Sequence, residues 1–237
     1  MATERKVHWV PLESNPEVIN AMISRLGVSP SFGFNDVWGL DDELLGMVAQ
    51  PVKAVIFLFP LTDKSESTRA QKVASATNTV SPNVWFMRQT IGNACGTMAV
   101  IHALANNQAD IPIEGHLAEF FAKTKTLSPE ERAELLENDE VIAGTHSEGA
   151  SGGQTAAPDA EAAIDLHFIA FVNVDGDMYE LDGRHAAPIN HGVSTDLLKV
   201  MYWLDAAGVI KQRIRELDGG SLEFTVLALG PHPNMQF

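Results

Sequence analysis

The chain carries one cysteine, Cys95 in QTIGNACGT, and eight histidines. Gly92 and Asn93 end a loop just before the thiol, and a long apolar run begins just after it. A helix starting there would offer unpaired N–H groups and the positive end of its dipole. Both favour the thiolate, which is the reactive form of cysteine. Free cysteine is also among the most buried residue types, so core filler is the competing reading.

A thiol nucleophile needs a base, and the base needs a group to orient it. His102 lies on the same helix as Cys95 but about 10 Å along its axis, too far for a direct hydrogen bond. His8, His116, His146 and His232 sit in polar or terminal stretches, and His185 and His191 in a loop. His167 differs because it opens a strand that is apolar on both faces. In HFIAFVNVDGDMYELDG, Asp175-Gly176 reads as a two-residue hairpin turn, so Val174 pairs with Asp177 and Asp182 falls opposite Ile169. His167 and Asp182 then become diagonal neighbours on one face, about 7 Å apart at Cβ. A carboxylate at that reach can hold the second imidazole nitrogen, and a register slip of one residue would separate the pair. Acyl transfer also needs a donor for the oxyanion. Gln89, across the short glycine-containing loop from Cys95, is the candidate.

These residues need elements to position them. Val7–Val10 reads as a strand. Asn15 caps a helix whose stripe is Val18, Ile19, Met22, Ile23 and Leu26, and Gly27 ends it. The pattern then predicts a strand over Phe34–Trp38, a helix over Asp41–Val48, a buried strand over Lys53–Phe59, and a short extended piece over Val84–Met87. The stretch Thr62–Thr79 reads as partly helical surface. Cys95–Asn106 is apolar nearly all round and predicts a buried central helix. Helices follow over Gly115–Lys125 and over Pro129–Glu137, the latter with a capping box from Ser128 and Glu131. Gly144–Ala163, rich in Gly, Ala and Ser, reads as a long loop ending just before His167, and loops of this length are usually functional. The hairpin, a helix over Asp196–Glu216 and a strand over Leu222–Leu229 close the chain. The expectation is a single α/β domain over residues 1–237, with a largely antiparallel sheet.

Net charge is −15 over 237 residues, which argues against direct nucleic-acid binding. From Ala133 to Gly183 no Lys or Arg occurs, a stretch that reads as a solvated acidic face or as a docking face for a basic partner. No apolar run approaches a membrane span, and MATERKVHW lacks the apolar core of a signal peptide. One cysteine cannot form an internal disulfide, so a reducing compartment is expected, the cytoplasm or also the nucleus.

QTIGNACGT and LHFIAFVNVDGDMYELDGR together resemble the two active-site segments of the ubiquitin carboxyl-terminal hydrolases, the short single-domain branch of papain-like cysteine proteases. WVPLESNPEVIN, LTDK, SPEERAELLEN, GGQTAAPDAE and PINHG are similar to family text in the same order, so the resemblance covers essentially the whole chain. It implies a papain-like α/β fold with a mainly antiparallel sheet flanked by helices and a knotted backbone. It implies Cys95 as nucleophile, His167 as general base, Asp182 as its orienter, and Gln89 with the Cys95 N–H as oxyanion hole. Pro11, Leu12, Ile164 and Leu166 would contact substrate. The implied reaction frees small adducts or short peptides from the terminal glycine of ubiquitin, or of a related ubiquitin-like modifier, by a monomer without metal or cofactor. The segment over 144–163 would cross the active-site cleft. Two alternatives stand beside this. A catalytically silent ubiquitin-binding module would need none of the four groups, and a general papain-like peptidase would cut unrelated peptides.

Overall fold

The computed structural model describes residues 7–62, 79–154, 158–160, 164–198, 205–216 and 223–232. Six strands are described: β1 (Phe32–Asp36), β2 (Ala54–Pro60), β3 (Leu166–Val174), β4 (Asp177–Leu181), β5 (Ile189–Val193) and β6 (Thr225–Pro231). They form one sheet in the order β1-β6-β2-β3-β4-β5, with every described pairing antiparallel. The described helices are α1 (Pro16–Arg25), α2 (Asp42–Leu45), α3 (Cys95–Ala105), α4 (Gly115–Thr124), α5 (Pro129–Glu137), α6 (Glu140–Ser151) and α7 (Ala206–Glu216).

The central strands β2 and β3 alternate between two cores. Ile56, Leu58, Phe168, Ala170 and Val172 join the core that contains α1, α3 and α4. Val55, Phe57, Phe59, Ile169 and Phe171 join the one that contains α7. Strands buried on both faces explain why their sequences are continuous apolar runs rather than alternating ones. Helix α3 is the most enclosed helix: every residue from Gly96 to Ala105 is buried.

Several elements form for the reasons their sequences give. Asn15 accepts the Glu17 N–H and caps α1, whose Val18, Ile19, Met22 and Ile23 are buried. Ser128 and Glu131 form the capping box of α5. The hairpin turn places Asp175 at φ 54° and Gly176 at φ 86°, the pair of positive angles a type I′ turn requires.

Other elements depart from expectation. Helix α6 runs to Ser151, so the segment read as loop from Gly144 is helical over its first half. Asp139 caps it by accepting the Val141 and Ile142 N–H groups, and Ile142, His146 and Ala150 bury one face. β1 starts two residues early, and α2 is a single short turn behind its cap Asp41. β2 runs through Pro60, which pairs with Leu166 as the last rung. Val7–Val10 makes one parallel bridge, His8 to Gly92, because its neighbour is a loop. Val84–Met87 stays out of the sheet because side chains satisfy its backbone: Asn106 bonds both Trp85 N and O at 2.8 Å, and Arg132 donates to Phe86 O. α7 begins at Ala206, where Asp205 accepts the Gly208 N–H at 2.7 Å. β5, unforeseen, carries Gly192 at φ 88° and a register shift against β4. The Thr62–Thr79 expectation falls on residues 63–78, which lie outside those described.

Candidate active site

The β3–β4 hairpin holds the register derived from its turn: Val174 faces Asp177 and Ala170 faces Leu181. One step beyond the ladder, Asp182 comes opposite Ile169. The diagonal pair closes, with His167 Nε2 and Asp182 Oδ1 2.8 Å apart. Both residues are buried, so the bond is shielded from water. The same Asp182 oxygen accepts the Arg184 N–H at 2.9 Å, which fixes the carboxylate's orientation. Phe59, the cross-strand partner of His167, sets its ring at 82° to the imidazole, with centroids 6.0 Å apart. Behind Phe59 lies the Arg213 guanidinium, bonded to Glu180 through two contacts of 2.9 Å. The imidazole is thus held by a carboxylate on one side and a packed ring on another.

Cys95 opens α3, and no side chain caps that helix. Its first N–H groups remain available for an anion. The thiol meets the backbone of Phe168, the residue after His167. Close approach here depends on Gly96. A Cβ at that position would stand 3.1 Å from Leu12 Cβ and 3.4 Å from Phe168 Cδ2. Burial pushes the Cys95 thiol up, while the Phe168, Gly96 and Cys95 backbone and the charge of Arg184 pull it down. Burial wins, so the helix start moderates the thiol but does not by itself ionise it. Part of the residue's surface stays open to the cavity it lines.

Gln89 donates from Nε2 to Ile91 O at 3.0 Å, and its backbone N–H donates to Gly183 O at 2.8 Å. An amide NH2 carries two hydrogens, so the second is left for another acceptor. The backbone bond ties the Gln89 loop to the turn that carries Asp182. The loop is also clamped by the N-terminal segment: Gly92 N donates to Val7 O at 2.8 Å, and Trp9 N donates to Gly92 O at 2.9 Å.

Pro11, Leu12, Ile164 and Leu166 come together around Cys95, lining one cavity of about 310 Å3 with Phe168 and Asn93. Sequence reasoning missed Phe59, Phe168, Asn93 and Arg184 as parts of the site. Arg184 had a signal: it ends the stretch from Ala133 to Gly183 that holds no Lys or Arg. His185 Nε2 stands 3.9 Å from the other Asp182 oxygen, Oδ2, whereas His102, His146 and His191 lie elsewhere. His102 is buried beside Phe86 and Trp85, and burial lowers it to about 4. His146 joins Thr97 on α3 to Val10 O, at 2.7 Å each. His191 meets Glu180 at 3.1 Å. Among the described residues, no group of three or more His, Cys, Asp or Glu could hold a metal ion.

A buried imidazole–carboxylate pair one residue from a thiol at an uncapped helix start is equipped for thiol acyl transfer. Residues 9–215 match the family model for ubiquitin carboxyl-terminal hydrolase, family 1. The chain is 47% identical to ubiquitin carboxyl-terminal hydrolase 3 of Arabidopsis thaliana, covering 93% of both chains. It is 44% identical to the human ubiquitin carboxyl-terminal hydrolase isozyme L1, over 92% of this chain and 96% of that one. Its fold is similar to the Trichinella spiralis UCH37 catalytic domain, solved bound to ubiquitin vinyl methyl ester. That likeness has a TM-score of 0.74 at 26% identity and covers 94% of this chain and 95% of the other.

Proposed function

The chain belongs to the ubiquitin carboxyl-terminal hydrolases of family 1, and on that premise we propose that Cys95, His167, Asp182 and Gln89 divide its chemistry. The activity is that of a cysteine-type deubiquitinating hydrolase, with ubiquitin as its partner. One observation carries the division of labour. The lone thiol lies against the Phe168 backbone, and the buried His167–Asp182 pair starts at the preceding residue.

With Nε2 committed to Asp182, Nδ1 of His167 is the nitrogen that takes the thiol proton. The thiolate attacks the carbonyl carbon of ubiquitin's terminal glycine. The oxyanion is held by the Cys95 N–H at the helix start and by the Gln89 amide. His167 returns the proton to the leaving amine or thiol as the carbon–heteroatom bond breaks, leaving a thioester on Cys95. Water, deprotonated by His167, cleaves the thioester and frees the ubiquitin carboxylate. Asp182 holds the imidazole in one tautomer and stabilises its protonated form.

The cavity walls Pro11, Leu12, Ile164 and Leu166 suit the narrow C-terminal tail of ubiquitin or of a related modifier. Small adducts and short peptides are the leaving groups proposed for a cleft of this size. We place the enzyme in the cytoplasm, with the nucleus as the second candidate compartment, since a lone, partly open thiol suits a reducing environment, and we take it to act as a monomer. The test is steady-state turnover of a small fluorogenic ubiquitin adduct. Cys95→Ser abolishes it, and His167→Ala lowers kcat/KM by about 10^3-fold, with Asp182→Asn costing less. Substantial turnover by Cys95→Ser sinks the assignment.

A further inference from the structure

His146 is buried, titratable and outside the chemistry proposed above. It stands on α6 with its imidazole between two other parts of the chain. Nε2 lies 2.7 Å from Val10 O, and Nδ1 lies 2.7 Å from Thr97 Oγ1. A carbonyl can only accept, so Nε2 carries the hydrogen and Nδ1 accepts from the Thr97 hydroxyl. Burial holds this imidazole below the usual histidine range, so the neutral ring, with one donor and one acceptor, is the form present at neutral pH. The hydroxyl's other partner, Met22 Sδ, stands at 3.9 Å and is the weaker acceptor. Both His146 and Thr97 are enclosed (1% and 0% exposed), where an unpaired polar atom is costly, so the two bonds define one arrangement.

Both ends of this bridge bear on the cleft. Thr97 follows Cys95 by two residues on α3. Val10 precedes Pro11 and Leu12, which line the cavity beside Cys95. Pro11 has no N–H to donate, so this wall has one backbone group fewer with which to hold itself. Packing extends the bridge. The Trp9 ring lies against the imidazole, with centroids 4.4 Å apart. Leu12 sits between the two helices: a Cβ added to Gly96 of α3 would stand 3.1 Å from its side chain, and one added to Gly149 of α6 would stand 3.6 Å from it.

We infer that His146 is a positioning residue for ubiquitin: it ties the Trp9–Leu12 wall to the nucleophile helix, and so fixes the wall that receives the tail relative to the thiol that attacks it. The inference rests on the reading above that Pro11 and Leu12 receive ubiquitin. With the wall released, the tail is held less well, whereas His167 and Asp182 keep their own bond. The loss therefore falls on KM rather than on kcat.

Three substitutions test the bridge. His146→Phe keeps a ring and removes both bonds. His146→Gln keeps a donor for Val10 O. Thr97→Val keeps the shape of the α3 end and removes its hydroxyl. The readouts are KM and kcat for a small fluorogenic ubiquitin adduct, and Kd for ubiquitin in a Cys95→Ser background. His146→Phe and Thr97→Val should each raise KM and Kd by roughly fivefold, the scale of one buried hydrogen bond, with kcat within about twofold of native. His146→Gln should recover most of the affinity. The double variant His146→Phe with Thr97→Val should bind no worse than His146→Phe alone, since the bridge is already cut. Native KM and Kd in His146→Phe, whatever its melting temperature, overturn the inference and leave the pair as core polar groups. So does an additive loss in the double variant. If His146→Phe does not fold, Thr97→Val decides by the same readouts. Failure of the reading beneath the inference shows separately, as native Kd in Pro11→Ala or as turnover surviving in Cys95→Ser.

Discussion

Arg184 acts on the nucleophile through its charge. Its backbone N–H orients Asp182, and its charge lowers the Cys95 thiol against the upward push of burial. Arg184→Gln keeps the backbone bond and removes the charge, so the thiol pKa rises further. Below that pKa the thiolate fraction falls about tenfold per unit, so alkylation by iodoacetamide at a fixed neutral pH slows. The pH–rate curve should shift to the alkaline side, and an unmoved or acid-shifted curve would show that Arg184 does not act on the thiol. At this scale much of the site was legible. A turn dipeptide, Asp175-Gly176, fixed the register, and the register alone brought Asp182 to His167. What could not be read was the balance on Cys95. The helix start is visible as a pattern of residues, whereas the burial that outweighs it is set by packing between segments far apart in the chain.

At the scale of elements, the turn after β4 has two tasks. It presents Asp182 to the imidazole and receives the Gln89 N–H at Gly183 O. A Cβ on Gly183 would stand 2.8 Å from Gln89 Cβ and 3.0 Å from Gln89 N, and backbone atoms cannot swing aside as a flexible side chain would. Gly183→Ala should therefore push the Gln89 loop away and lower kcat/KM by at least about tenfold, while thermal unfolding stays cooperative. Native kinetics in this variant would show that the spacing is not needed. The same scale explains the main misreading. GTHSEGAS looks like loop because Gly, Ser and Thr are poor helix formers. Tertiary contacts override that propensity: Gly149 packs 3.6 Å from Leu12 and Val18 side chains at its would-be Cβ, and His146 bonds α3 and the N-terminal segment. β5 was missed for a related reason, since its pairing with β4 shifts register and leaves no clean alternation.

Over the whole molecule, a net charge of −15 is available to steer a basic tail toward the cleft. Association with ubiquitin should slow between about 50 and about 500 mM salt, where the screening length shrinks roughly threefold. A salt-independent on-rate in stopped-flow would make the acidic stretch a solvating surface only. The strand order β1-β6-β2-β3-β4-β5 was not legible from residue patterns, because β6 inserts between β1 and β2 from the far end of the sequence. Local patterns report faces and ends of elements, not which distant edge they join. Helix α3 packs on β3, and Cys95 at its start meets the backbone of Phe168, the residue after the base. The most direct test of this convergence is reaction with ubiquitin bearing a C-terminal vinyl methyl ester, followed by intact mass and peptide mapping. The native chain should gain one ubiquitin, carried on Cys95, and Cys95→Ser should gain none, with His167→Ala labelled at least about a hundredfold more slowly. Labelling that persists in Cys95→Ser, or proceeds at the native rate in His167→Ala, would contradict the account.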